Sequence, residues 1–145
     1  MSYPIIVEET FNTNSKTIWS AITELDQMVL WFFEGIPDFK PEVGFETQFT
    51  VSSISRDFLH VWEIIEVIPE ELIVYKWTYP EYFDGDSFVT FKLAMISENQ
   101  TTLSVIADGM ENYPQDIPEF KRESGVNGWN YFIKESLSNY LKSLK

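Results

Sequence analysis

The sequence contains no cysteine and a single histidine, His60. Without cysteine the chain cannot form disulfides, thiolate metal sites or a cysteine nucleophile. One histidine cannot build a His-rich metal site, and no Gly-x-Ser-x-Gly elbow is present to support a Ser-His-Asp triad. We interpret His60, inside a predicted strand, as a solvent-facing or hydrogen-bonded residue rather than a general base. The sequence therefore favours a non-enzymatic protein and leaves an enzyme as an alternative.

Basic residues are also scarce, with 10 Lys and Arg against 23 Asp and Glu and a net charge of −13. Nucleic acids and anionic membrane surfaces are bound by basic patches, so we expect neither as a partner. No stretch approaches the ~20 apolar residues of a membrane span, and the N-terminus lacks the basic region of a signal peptide. We therefore expect a cytoplasmic protein without membrane insertion, as a monomer or homodimer.

Recognisable cofactor and metal motifs are absent. The six glycines are scattered and form no phosphate-binding loop. Glu81, Asp84 and Asp86 share one loop and could hold a hard cation, but their spacing is not that of an EF-hand. We predict no metal and no cofactor.

Aromatic residues are abundant instead, at 17% of the chain, with twelve Phe, seven Tyr and five Trp. A chain of 145 residues is long enough for one domain with a sizeable core, so we predict a single domain over residues 1–145. Aromatic side chains suit such a core, and they equally suit a wide apolar cavity. Composition alone leaves both readings open.

A long amphipathic helix is predicted from about Glu119 to Leu144, with Asp116 as its cap and Pro118 in its first turn. Lys134, Glu135, Asn139 and Lys142 fall on its opposite face. The apolar face repeats at steps of three and four and comprises Val126, Trp129, Ile133, Leu137, Tyr140 and Leu144, widened by Phe132 and Leu141.

The rest of the chain is predicted as strands and two short helices. The helices cover Lys16–Leu25 and a second segment that begins at Asp26. The predicted strands are Ile5–Phe11, Phe45–Val51, Phe58–Ile68, Leu72–Tyr79, Ser87–Ile96 and Thr101–Asp108. Adjacent Ile64 and Ile65 indicate a bulge or burial on both faces. Strands grouped together in this way indicate an α+β protein with an antiparallel sheet.

The ordered combination of several short segments resembles one known superfamily. The segments are Ser15–Thr23, Met28–Phe32, Val61–Trp77, Ser87–Phe91, Thr101–Val105, Gly128–Trp129 and Leu137–Leu141. Together they resemble the START-like (SRPBCC, birch-pollen-allergen-like) superfamily, and within it the AHSA-type branch, named for activators of the heat-shock-protein-ninety ATPase. The resemblance implies a helix-grip fold, in which a curved six-stranded antiparallel sheet wraps a long C-terminal helix and two short helices follow strand 1. It also implies an internal cavity that often holds an apolar small molecule.

Nine residues are predicted to line the space between helix and sheet and to contact an apolar or aromatic small molecule. They are Trp31, Phe49, Trp62, Tyr75, Trp77, Phe91, Trp129, Phe132 and Ile133. Thr47, Glu66 and the Tyr75 hydroxyl are the candidate polar contacts. Gly125 and Gly128 are predicted to allow close approach of the helix backbone to the sheet or a local break, or alternatively to open space for a ligand beneath Trp129. The resemblance also implies two alternatives, a stress-linked activator that binds a chaperone ATPase and an enzyme of the polyketide cyclase or aromatase kind.

Overall fold

A six-stranded antiparallel sheet forms the frame of the protein in the computed structural model, which describes residues 4–54, 56–83 and 85–144. The strands are β1 Ile5–Phe11, β2 Glu46–Ser52, β3 Asp57–Ile68, β4 Leu72–Thr78, β5 Phe88–Ser97 and β6 Gln100–Asp108. Their order across the sheet is β1-β6-β5-β4-β3-β2, which leaves β1 and β2 at the edges. Alternating burial along β4 and β6 puts one side of each strand in the core, as predicted.

Two register shifts interrupt the strand pairing. The first lies between Ile64 and Glu66 on β3 and confirms the predicted bulge. The second lies between Met95 and Ser97 on β5. Val89, Phe91 and Leu93 are buried at alternate positions of β5, but Met95, the next position of that series, is 62% exposed where the register slips at the end of the strand.

Two short helices follow β1. Helix α1 covers Ser15–Thr23 and is capped by Asn14, whose side chain accepts a hydrogen bond from the Thr17 backbone N–H at 2.8 Å. Helix α2 covers Leu25–Trp31. It begins one residue before the predicted Asp26, which lies in the first turn, where a negative charge complements the helix dipole.

The C-terminal helix has three consecutive parts, α3 Arg122–Asn130, a π segment Tyr131–Leu137 and α4 Ser138–Ser143. Its start differs from the prediction. Pro118 begins a separate 3-10 turn, Pro118–Phe120, and Lys121 occupies the cap position, so Asp116 lies outside the helix. The helix therefore starts three residues later than the predicted Glu119.

The buried face of the C-terminal helix also shifts along its length. Ile133, Leu137 and Leu141 are buried, whereas the predicted face residue Leu144 is 50% exposed. A π turn holds more residues than an α turn, so the helix beyond it is rotated relative to a continuous α-helix. In a continuous α-helix Tyr140 would occupy a central position on the buried face. After the π segment, Leu141 occupies that position instead.

The C-terminal helix lies against the concave side of the sheet, and one hydrophobic core joins it to all six strands and to α1 and α2. The Trp31 indole N–H donates to the Ala21 carbonyl at 2.7 Å and ties the two short helices together. The predicted α+β helix-grip architecture is confirmed. Within the described residues, no helix is long and apolar enough to cross a membrane.

Candidate ligand cavity between the C-terminal helix and the sheet

A cavity of about 500 Å³ lies between α3 and the concave side of the sheet. Its walls are mainly apolar and come from β1, β4, β5, β6 and the C-terminal helix. The apolar lining residues are Ile5, Phe33, Trp77, Tyr79, Val89, Ala107, Met110, Phe120, Trp129 and Phe132. Aromatic rings dominate one side, where Trp129 lies 5.6 Å from Trp77 and 6.2 Å from Phe132, measured between ring centroids.

Two glycines on α3 line the cavity and have different surroundings. A Cβ atom built at Gly128 would meet no atom within 4 Å, so the missing side chain leaves space there. A Cβ atom at Gly125 would come within 2.8 Å of the Ile5 Cδ1 atom, so this glycine lets the helix approach β1 closely. Of the two alternatives predicted for these glycines, close approach therefore applies to Gly125 and open space to Gly128.

The rim of the cavity is polar and carries charges of both signs. It includes Glu111, Gln115, Glu119, Lys121, Arg122 and Ser124. The Arg122 guanidinium donates to the Pro4 carbonyl at 3.2 Å. A hydrogen bond from the Ser53 hydroxyl lowers the pKa of Glu119, which keeps this rim carboxylate ionised. A ligand with an apolar body and a polar end matches such a distribution.

The outer wall of the cavity is the segment 109–121 between β6 and α3. It is anchored by Tyr113, whose hydroxyl accepts from the Tyr79 backbone N–H at 3.1 Å and bonds the Ser87 hydroxyl at 3.0 Å. Gly109 starts the segment at a φ of 91°, and a Cβ there would lie 2.9 Å from the Asp86 carbonyl oxygen. Only glycine fits this backbone, so the direction of the wall is fixed at its first residue.

The structure separates the nine predicted site residues into three groups. Trp77, Trp129 and Phe132 line the cavity. Trp31 borders a second cleft beside β2, and the other five are buried in the core away from the cavity wall, namely Phe49, Trp62, Tyr75, Phe91 and Ile133. As for the predicted polar contacts, Glu66 is exposed beyond the β3 bulge, and Thr47 is half-buried and does not line the cavity.

Several lining residues were not singled out from the sequence. Ile5, Val89 and Ala107 lie in predicted strands, but nothing in their spacing distinguishes a cavity wall from a packed core. Phe120 and the rim residues lie in the segment that was predicted as loop and helix start, so their position depends on how segment 109–121 folds back. The glycine pair on α3 was the one signal in the sequence that this end of the helix borders open space.

His60 lies in the aromatic core and does not line the cavity. It is buried among the rings of Phe33, Phe49, Trp77 and Tyr79, and its Nδ1 atom lies 3.1 Å from the Phe58 carbonyl oxygen. Burial lowers its pKa from 6.5 to about 4, so the imidazole is neutral at pH 7. The solvent-facing reading is wrong, and the hydrogen-bonded one is confirmed.

The carboxylates considered for a cation already have other contacts. The Glu81 carboxylate accepts from the Leu59 backbone N–H at 3.1 Å, and Asp86 forms a 3.0 Å ion pair with Lys76. The third, Asp84, lies outside the described residues. Among the residues that the structure does describe, no group of three His, Asp or Glu side chains is placed to hold a metal ion.

Comparisons with solved structures confirm the fold. A protein from Mesorhizobium loti, MLL2253, is 26% identical, with 99% of both chains covered and a TM-score of 0.74. An HSP90 activator from Plasmodium falciparum is 18% identical, with 99% of this chain and 96% of that chain covered and a TM-score of 0.68. DynU16, from the dynemicin biosynthetic locus, is 18% identical, with 98% of this chain but 48% of that chain covered and a TM-score of 0.73.

The family comparison agrees with these structures. No curated protein is similar enough to the sequence to count as a relative. The family model described as "Activator of Hsp90 ATPase homolog 1-like protein" matches residues 12–142, which include both short helices, five strands and nearly all of the C-terminal helix. The chain therefore belongs to the family of proteins similar to the Hsp90 ATPase activator homologue.

Proposed function

We propose that this protein binds an apolar or aromatic small molecule in the cavity between α3 and the sheet. The observation that carries the proposal is a cavity of about 500 Å³ with apolar walls and a polar rim. Pockets for small molecules measure roughly 300–1,000 Å³ and combine mainly apolar walls with a few polar groups. We further propose that the chain works as a single cytoplasmic domain.

The aromatic wall indicates how such a ligand would be held. The Trp77 and Trp129 rings meet edge to face at an interplanar angle of 65°, and Phe132 lies 61° from the plane of Trp129. Rings set at such angles present both faces and edges, which suits contact with another aromatic ring. Rim residues such as Lys121 and Glu111 would remain in contact with water and with the polar end of the ligand.

A second candidate function is activation of a chaperone ATPase. The family description and the likeness to the Plasmodium falciparum activator favour it. The measurement is the ATPase rate of a purified chaperone of the Hsp90 type with and without this protein. A rise in rate would support the activator role, and an unchanged rate without co-purification would argue against it. A cyclase- or aromatase-like enzyme would use the same cavity, with water or a rim carboxylate to move protons.

The cavity proposal is tested by filling the space with a side chain. Gly128→Leu puts an isobutyl group where a Cβ meets no atom within 4 Å, so the fold should persist while the cavity shrinks. Gly35→Leu is the matched control, because its Cβ also meets no atom and the residue is exposed outside the cavity. Binding of a library of lipids and aromatic compounds is followed by native mass spectrometry. Ligands lost in Gly128→Leu and kept in Gly35→Leu support the proposal, and ligands kept in both contradict it.

A further inference from the structure

Two polar atoms in the aromatic core have no hydrogen-bond partner, the indole Nε1 of Trp62 and the hydroxyl of Tyr75. Trp62 is 1% exposed and Tyr75 is fully buried. The neighbouring indole of Trp77 donates to the Tyr79 hydroxyl at 2.9 Å, and that of Trp31 donates to a backbone carbonyl. Buried polar atoms are nearly always hydrogen-bonded. Two such atoms without a partner on neighbouring side chains therefore require a physical reason.

The two side chains are neighbours on the concave side of the sheet. Trp62 on β3 is opposite Trp77 on β4, and Ile64 is opposite Tyr75, so Trp62 and Tyr75 are diagonal neighbours. Their ring centroids are 5.1 Å apart with an interplanar angle of 87°. An indole N–H only donates, and a phenol both donates and accepts. Both groups can therefore donate a hydrogen bond to an oxygen atom that a ligand brings within reach.

An aromatic ring already covers this pair. Phe39 comes from the segment 32–45, which contains neither helix nor strand. Its ring lies 5.8 Å from that of Tyr75 at an interplanar angle of 24° and 6.2 Å from that of Trp62 at 86°. Phe39 therefore stacks on one partner and meets the other at its edge, but it carries no polar atom that either could bind. A ligand ring in its place would keep both ring contacts and add the missing oxygen.

The surroundings restrict the chemistry of such a ligand. The rings around the pair are those of Phe32, Phe49, Trp77 and Phe91, and the nearby His60 is neutral. A charged group in this environment would lose its hydration without an ion partner. The oxygen must therefore belong to a neutral group, such as a phenol or a ketone.

We propose that Trp62 and Tyr75 form an inner subsite for a neutral aromatic molecule with a phenolic or carbonyl oxygen, which binds where Phe39 now lies. The proposal rests on the ligand-binding function proposed above and names its ligand class. The inner subsite adjoins the larger cavity through Trp77, whose ring lines the cavity and lies 4.8 Å from Trp62. Segment 32–45 would move outward with Phe39 to admit the ligand.

The test compares two probes of nearly the same size, 2-naphthol and naphthalene, by isothermal titration calorimetry. The wild-type protein should bind 2-naphthol about tenfold more tightly, which corresponds to one or two good hydrogen bonds. Tyr75→Phe removes only the hydroxyl, so it should reduce this preference to about threefold or less and leave naphthalene binding unchanged. Tyr131→Phe is the matched control, because it removes an exposed hydroxyl, and it should keep the wild-type preference.

A second variant tests the position of the subsite. Phe39→Leu removes the ring that competes with the ligand, so 2-naphthol should bind at least about threefold more tightly, provided that near-UV circular dichroism shows an intact core. Unchanged or weaker 2-naphthol binding in this variant would place the probe elsewhere and overturn the proposal.

The remaining outcomes separate the inference from the proposed function. If both probes bind wild-type protein equally, or Tyr75→Phe weakens both to the same degree, the inner subsite is rejected and the cavity function stands. A buried water bound by Tyr75 would give that result together with a lower melting temperature for Tyr75→Phe. If neither probe nor any compound of the library binds the wild type, both proposals fail.

Discussion

The two ends of the interior are built from the same kinds of side chains but have different contents. At the β2–β4 end, Trp62 lies within 4.8 Å of both Phe49 and Trp77, and the rings fill the space. At the α3 end, Trp129 and Phe132 stand beside a cavity of about 500 Å³. The first end is covered by Phe39 from segment 32–45, whereas Phe33 of the same segment lines the cavity at the second end, opposite a helix turn with glycines. Aromatic content therefore does not distinguish core from cavity. The element that covers the rings determines whether the space is filled or open.

The charges follow the same division. The packed end contains a neutral His60 and the unpartnered polar atoms of Trp62 and Tyr75, whereas charged residues surround the mouth of the cavity. Burial of these polar groups is tolerated at the packed end because they remain uncharged. The predictions below contrast the two ends, beginning with the largest effect.

Truncation of an aromatic ring should lower the free energy of unfolding far more at the packed end than at the cavity. Trp62→Ala should lower the free energy of unfolding by about 3–5 kcal/mol, because it leaves a void among close-packed rings. Trp129→Ala should cost about half of that or less, since this side chain is half-buried beside an existing cavity. Urea unfolding of both variants measures the difference, and equal losses would show that the two ends are packed alike.

Acid should destabilise the packed end through His60. Its folded-state pKa of about 4 lies below the unfolded value of 6.5, so the unfolded chain binds the proton first as the pH falls. The contribution of neutral His60 to the free energy of unfolding is fully present above pH 6.5 and is lost as the pH falls towards 4. The total loss is roughly 3 kcal/mol. Carboxylates titrate in the same range, so the measurement is the difference between the wild-type and His60→Gln stability curves. A difference that stays constant over this range would contradict the assigned burial.

Removal of a hydroxyl should have opposite signs at two neighbouring tyrosines. Tyr75→Phe deletes an unpartnered buried hydroxyl and should raise stability by about 1 kcal/mol. Tyr79→Phe leaves the Trp77 indole N–H without its acceptor and should lower stability by about 1 kcal/mol or more. Thermal unfolding at fixed pH compares them, and a loss of stability in Tyr75→Phe would mean that its hydroxyl has a partner, such as a buried water.

The smallest effect is expected at the helix glycines. Gly128→Ala should raise stability by roughly 0.5–1 kcal/mol, because alanine has the higher helix propensity and its Cβ meets open space. Gly125→Ala should gain less or nothing, since its Cβ would lie 2.8 Å from the end of the Ile5 side chain. Chemical denaturation of the two variants side by side gives the comparison, and equal gains would show that Ile5 adapts without cost.

Much of the fold followed from sequence periodicity. The first strand was predicted at Ile5–Phe11, the bulge at Ile64 was predicted from two adjacent isoleucines, and the alternation Ile73, Tyr75, Trp77 assigned the inner face of β4 correctly. These signals are local, because the side-chain period of a strand is fixed by its backbone. The failures occur where a cap or a non-α turn changes the geometry, as at Asp116 and Leu144.

The candidate site was less predictable than the fold. Periodicity assigned Trp62, Phe91 and Trp129 to the same interior, but it could not show which of them would be covered by segment 32–45 and which would face a cavity. That difference depends on contacts between residues far apart in the chain, such as those between Phe39 and Tyr75. The glycine at 128 was the local clue to open space, because it removes a side chain from a helix that otherwise fills its groove.

The π segment at Tyr131–Leu137 lets the C-terminal helix hold one residue more than a continuous α-helix over the same stretch. Deletion of one residue within it would restore a continuous α-helix, and the residues after it would keep nearly the same face towards the sheet. Leu141 would then stay in the core, and Trp129 and the cavity wall before the segment would keep their places. Related chains could therefore gain or lose a residue here while both the anchoring end and the ligand end of the helix stay the same.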